Sequence, residues 1–161
     1  MKNIFIIAVA FIICSCGGTY EAAWTYHFDK SKTIPLSYDK VWQNTIDWFA
    51  INNTPIKTLD KASGIIASDY NLRIGSENDY CDCGKITRGL FLNYSLRDYT
   101  GNINVLARKV SDDSTKITIS SFFKANRILY DSNERKQVFS DVVNCNSTGR
   151  IEREFFQAIQ K

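Results

Sequence analysis

An α+β fold is predicted, an antiparallel meander covered on one face by an amphipathic helix near the start and a second helix at the C-terminus. Three patterns predict it. Tyr38, Val41, Trp42, Thr45, Ile46 and Phe49 recur at helical spacing. Between residues 90 and 123 the apolar positions recur every second residue. Ile151, Phe155 and Ile159, with Phe156 beside them, then return to the helical period. Each element has one apolar side to hide, so both helices belong on the same sheet face.

Thr33-Ile34-Pro35-Leu36 is a short extended piece, and Pro35, which cannot donate a ladder hydrogen bond, places it at a sheet edge or a strand end. The first helix follows. Ser37 is its N-cap, Asp39 sits in the first turn, and Leu36 with Val41 forms a hydrophobic staple. Asn52-Asn53 and Pro55 stop it, and Trp48 lies at the margin of its apolar face. Ile56 and Leu59 start a strand, Lys61 to Gly64 turns, and Ile65 to Tyr70 returns.

Leu90, Leu92, Tyr94 and Leu96 then alternate with polar or outward positions, Asp98 to Gly101 reads as a turn, and Ile103, Val105 and Ala107 resume the alternation. After a turn at Asp112-Asp113-Ser114, Ile117, Ile119, Ser121 and Phe123 share a face, giving three consecutive strands. Residues 124–144 fit strand or helix fragments, Ile128-Leu129-Tyr130 and Val138-Phe139 among them. The last helix is expected from about Thr148, with Gly149 to Glu152 as a capping-box-like start lacking the usual side-chain oxygen.

The N-terminus carries an address. Lys2 precedes an unbroken apolar run from Ile4 to Ile13, and Cys14-Ser15-Cys16-Gly17-Gly18 follows. Ten apolar residues are too few to cross a hydrocarbon core that needs about 20. Ile13-Cys14-Ser15-Cys16 resembles the lipobox of bacterial lipoproteins. The resemblance implies a signal peptide over residues 1–15 and a lipid-modified Cys16, held in the cell envelope, with the outer membrane as the expected location. Cys14 is the poorer candidate, because the bulky Ile13 would then occupy the cleavage position. Residues 16–31 read as a tether whose aromatic residues Tyr20, Trp24, Tyr26 and Phe28 touch the domain or the membrane interface, and 32–161 as a single domain.

Removing the signal leaves 146 residues, enough for one sizeable core. The formal charge of +3 includes Lys2, so the exported chain carries 19 Lys and Arg against 17 Asp and Glu. These charges are interspersed, which argues against a nucleic-acid surface. No internal repeat or low-complexity stretch is present.

The segment Thr33 to Trp42, with the helix it opens and the Ile56 to Ile66 hairpin, resembles the opening of BamC-like lipoprotein domains. The resemblance covers roughly residues 32–70 in pattern and the rest in element order. It implies a helix-grip arrangement and an accessory or binding role among envelope proteins, with no catalytic residues to carry over. The Cys81-Asp82-Cys83-Gly84 and Cys145 to Gly149 segments lie outside that pattern.

Those cysteines are the chemical feature of the chain. With Cys14 removed and Cys16 acylated, Cys81, Cys83 and Cys145 remain, in a compartment that oxidises thiols. The expected pairing joins Cys145 to Cys81 or Cys83, since a direct Cys81–Cys83 bond would be strained. The alternatives are a metal centre using the three thiolates with Asp79, Asp82 or His27, and a thiol-redox role. Both lack the usual CxxC spacing. Ser147-Thr148-Gly149 could bind an anion at a helix start, although capping explains it more simply. Asp112-Asp113, on a turn, read as solvated acids, and Glu152 and Glu154, in the first turns of a helix, as acids that favour its dipole. His27 is the only histidine, and the chain has no Gly-x-Ser-x-Gly, phosphate loop, dinucleotide fingerprint or HExxH. No residue set nominates a catalytic site, a cofactor or a small-molecule substrate. The expected function is therefore a non-enzymatic binding or accessory lipoprotein, with the thiol-redox or metal reading as its alternative.

Overall fold

Pro35 sets the first boundary of the domain. The strand before it, β2 (Ser31–Ile34), lies antiparallel to the start of β8 (Ser114–Asp131), with Ser31 opposite Thr118 and Ile34 opposite Thr115. The chain cannot extend that ladder through a residue with no amide hydrogen, and it turns into helix α1 (Tyr38–Ile51). Ser37 caps α1 by accepting from the Lys40 amide at 3.4 Å. The computed structural model describes residues 17–71 and 77–161. The expected signal peptide and Cys16 lie outside the described residues.

Helix α1 buries Val41, Trp42, Thr45, Trp48 and Phe49. Trp48, placed by its spacing at the margin, belongs to the core and meets Phe155 edge-on at 5.1 Å. The hairpin of β3 (Ile56–Asp60) and β4 (Ile65–Asn71) follows. Its turn requires Gly64, which has a φ of 67° and passes so close to the Ala107 carbonyl that a Cβ would lie 2.1 Å from it.

A one-turn helix α2 (Glu77–Tyr80), the two-residue β5 (Cys81–Asp82) and β6 (Lys85–Thr87) lead into β7 (Leu92–Ser111), β8 and β9 (Lys136–Ser147). These make a seven-stranded antiparallel sheet in the order β3-β4-β7-β8-β9-β5, with β2 beside β8. A separate two-stranded sheet joins β1 (Thr19–Glu21) to β6. The final helix, α3 (Arg150–Ile159), shares the α1 face of the sheet. Ile151, Phe155, Phe156 and Ile159 meet Ile103, Val105, Ile117, Ile119 and Phe123 in one buried cluster. The fold is α+β, with both long helices on one face of an antiparallel sheet.

The structure corrects one turn and refines other expectations. The turn expected at Asp98 to Gly101 is a β-bulge inside one 20-residue strand. Arg97 faces Asn126 and Thr100 faces Lys124, so Asp98 and Tyr99 together oppose Ala125. Asp98 takes a left-handed φ of 53°, and its carboxylate accepts from the Asn126 amide at 2.9 Å. One extra residue moves the inward positions from even numbers, such as Leu96, to odd ones, such as Ile103, which is the shift that resembled a turn. The meander therefore comprises β7, β8 and β9, and residues 124–144 lie mostly in strands.

The tether expected at 16–31 is, over its described part, laid along the domain. Gly17 bridges Leu92, β1 pairs with β6, and the Lys30 carbonyl accepts from the Ile119 amide at 2.8 Å. Finally, α3 starts at Arg150, and its N-cap Gly149, at φ 77°, makes no side-chain cap.

Trp42 is 5% exposed and stacks on Tyr38 with ring centroids 5.9 Å apart. Trp42→Ala is expected to cost about 3–5 kcal/mol in chemical denaturation, the usual penalty for emptying a large buried site. A cost near zero would show that this face of α1 does not hold the core.

Candidate functional site: the three-sulfur corner

The end of β9 leaves β8 after Cys145 and pairs instead with β5, setting Asn146 opposite Asp82 and Ser147 opposite Cys81. The Thr148 side chain and amide then bond the carbonyls of Asp79 and Tyr80 at 2.6 and 3.1 Å. This fastens the short α2–β5 segment to the start of α3. Cys81 and Cys83 sit on that segment and Cys145 on β9, so the local pairing brings all three sulfurs together.

Cys83 and Cys145, 62 residues apart in sequence, are joined by a disulfide. The Cys81 sulfur lies 3.7 Å from that of Cys83, and the three Sγ atoms are all within 4.8 Å of one another and buried. The corner can thus hold an oxidised pair beside a third thiol or, after two-electron reduction, three thiolates.

The acids and histidine suggested as further metal ligands are engaged or displayed elsewhere. One Asp82 oxygen accepts from the Gly84 amide at 2.8 Å, and the other accepts from the Trp24 amide and the Tyr26 hydroxyl. Desolvation first, then the Asp82 charge, raises the Tyr26 pKa. Asp79 pairs with Arg150 at 3.0 Å, and His27 is exposed.

Glu152 sits in the first turn of α3, where the sequence places it, but its side chain is buried. It is 1% exposed, and its two carboxylate oxygens accept from the hydroxyls of Ser121 and Ser147. Ser147 Oγ in turn accepts from the Gly149 amide at 3.1 Å. The Ser147-Thr148-Gly149 turn therefore serves a carboxylate of its own chain. A side chain at position 149 would strike the Phe28 ring at 2.6 Å, so Gly149 also lets residue 28 lie across the helix start.

Outside this buried pair, Tyr80 donates to Glu154 at 3.0 Å while Arg150 holds the other Glu154 oxygen at 2.8 Å. Burial first, and the Glu154 bond second, push the Tyr80 phenol up to about 12.

A second cluster was not legible in the sequence. Arg127 and Asp141, directly opposed on β8 and β9, form a two-pronged ion pair at 2.9 and 2.5 Å. The guanidinium also lies over the Tyr20 and Tyr94 rings, 4.4 and 5.7 Å from their centroids. Tyr20 donates to the Cys83 carbonyl at 2.8 Å, linking this cluster to the sulfur corner. An alternating strand pattern shows which residues share a face, but not which residue on another strand they meet.

Mass spectrometry of a non-reduced digest is expected to find the Cys83 peptide joined to that of Cys145. Reduction should lower stability by about 2–4 kcal/mol through the longer unfolded chain it releases. Finding Cys145 as a thiol in the folded protein would overturn this pairing.

For Tyr80, the folded phenol titrates near 12 against an ordinary 10.0. The stability it contributes is therefore complete below pH 10 and lost as pH rises through the folded value. An ultraviolet titration of the wild type minus Tyr80→Phe should show this late phenolate. A difference spectrum centred near pH 10 would contradict it.

No family model matches the chain and no curated protein aligns with it, which leaves its own residues as the ground for a functional reading.

Proposed function

We propose that this is a membrane-anchored bacterial lipoprotein acting as a non-enzymatic binding or accessory module of the cell envelope. Cys16 carries the lipid, and the outer membrane is the expected location. The observation that carries this reading is the joining of Cys83 to Cys145 in a domain whose chain opens on a lipobox-like Ile13-Cys14-Ser15-Cys16. A structural cystine belongs to an oxidising, exported compartment, and the lipobox addresses the chain there.

The buried polar side chains also favour a structural role for the interior. Glu152 is satisfied by two serines, Thr45 by the Val41 carbonyl and Thr115 by the Leu36 carbonyl. The order β2, α1, β3–β4 hairpin, long antiparallel strands and closing α3 fits the helix-grip arrangement of BamC-like domains, and we assign the chain to that architecture on this order.

The sulfur corner supports a second reading. Three buried Sγ atoms within 4.8 Å would, once reduced, suit a soft cation held by thiolates. A thiol count separates the two readings. One titratable thiol among Cys81, Cys83 and Cys145 in the unfolded, non-reduced protein fits the structural role, while three thiols with bound zinc would install the metal role.

Cys16→Ser is expected to abolish acylation and release the protein from the membrane fraction, and Cys14→Ser to change neither. Intact mass and membrane flotation read both effects. The reverse pattern would overturn the lipid assignment.

A further inference from the structure

We infer that the end of the sheet carrying Leu90, Phe91, Val138 and Phe139 is a membrane-contact surface, seated in the headgroup layer of the bilayer that holds the Cys16 lipid. This rests on the lipoprotein reading above and adds an orientation to it. Gly17 forms a parallel bridge with Leu92, and the Gly18 amide donates to the Leu92 carbonyl at 2.7 Å. Residue 16 follows from residue 17 by one peptide unit, about 3.8 Å between Cα atoms. A lipid on Cys16 would therefore leave the chain one residue from Gly17, which lies beside the first residue of β7. The headgroup zone of one leaflet is only about 5–8 Å deep. An acylated Cys16 thus brings the start of β7 to the membrane.

What surrounds that point is apolar. Leu90 is 75% exposed and Phe91 48%, and they are the two residues immediately before β7. The Phe91 carbonyl accepts from the Ser132 amide at 2.7 Å, which places it beside the β8–β9 turn. Phe139 is 47% exposed and stands opposite Leu129, itself opposite Tyr94. It is thus two strand spacings from β7, about 10 Å. Val138, beside it, is 58% exposed.

Arg88, Arg135 and Lys136 are exposed next to these positions, with Glu134 among them. An apolar patch edged by cations suits a bilayer interface containing anionic lipid. Two other exposed apolar side chains, used as controls, lie away from the anchor. Val110 is near the far end of β7, and Leu59 is on the outermost strand β3.

The test uses the full-length acylated protein in vesicles of phosphatidylethanolamine and phosphatidylglycerol. Photoreactive benzoylphenylalanine replaces Phe91, Phe139, Leu59 or Val110 in turn. All four side chains are exposed, so each variant should keep the fold, which circular dichroism checks. Phospholipid adducts are expected several-fold more often from positions 91 and 139 than from 59 and 110. Acylated protein that gives no lipid adduct at 91 and 139, or equal yields at all four positions, overturns the contact surface while leaving the lipoprotein reading intact. Intact mass showing an unmodified Cys16 overturns both.

Discussion

Strand β8 is the constraint on which the rest of the domain depends. Its full length is paired with β7 along one edge, whereas the other edge is divided, β2 taking residues 115–118 and β9 taking 123–131. Its inward side chains Ile117, Ile119, Phe123 and Ala125 are almost wholly buried beneath the helices. Burying each of the larger ones contributes about 1.5–3 kcal/mol, so β8 fixes both the sheet and the floor on which α1 and α3 rest. The division of its edge has a structural consequence. Between Ile119, whose amide bonds the Lys30 carbonyl just before β2, and Phe123 that edge is left unpaired, and there Ser121 reaches the carboxylate of Glu152. The first turn of α3 is anchored at the gap between two edge strands.

That anchor is stable only because it is fully satisfied. An isolated carboxylate taken from water costs several kcal/mol, and Glu152 recovers this through hydroxyls that donate to each of its oxygens. The same two serines come from β8 and β9, the strands that diverge at the gap. Their shared acceptor therefore spans the divergence, and the Cys83–Cys145 bond holds the far side of β9 to the β5 segment. Arg127 with Asp141 does comparable work farther along the β8–β9 ladder, where Tyr20 and Tyr94 screen the guanidinium from water.

What could be read from the sequence follows from how local each signal is. The 3.6-residue recurrence of Val41, Trp42 and Phe49 gave α1 its buried face, and Ser37 and Asn52 gave its limits, because helix bonds close within four residues. The cysteines were legible as a group through compartment and number, while the choice of Cys83 over Cys81 depends on how β5 meets β9. The bulge at Asp98 was misread because a turn and an inserted residue leave the same shift of parity in the alternation. Glu152 was placed in the first turn of the last helix, but its burial was not legible. A glutamate in the first turn of a helix ordinarily faces water and the dipole, and nothing near it in sequence announces that Ser121, on another strand, approaches from beneath.

The N-terminal segment joins these features mechanically. From Gly17 it crosses the start of β7, pairs through β1 with β6, bonds Asp82 through Trp24 and Tyr26, lays Phe28 over Gly149 and enters the sheet at β2. If Cys16 carries the proposed lipid, a load on that anchor would first meet the Gly17–Leu92 bridge and the three-residue β1–β6 ladder, a small number of hydrogen bonds acting together. Beyond them stand the Asp82 contacts, and Asp82 lies between two cysteines, the second of which is covalently bound to β9. The disulfide therefore places a covalent link where the strap transfers force to the sheet. Its value extends beyond loop entropy: it keeps β5, and with it the hold on the strap, from peeling away from the end of β9 when the strap is pulled.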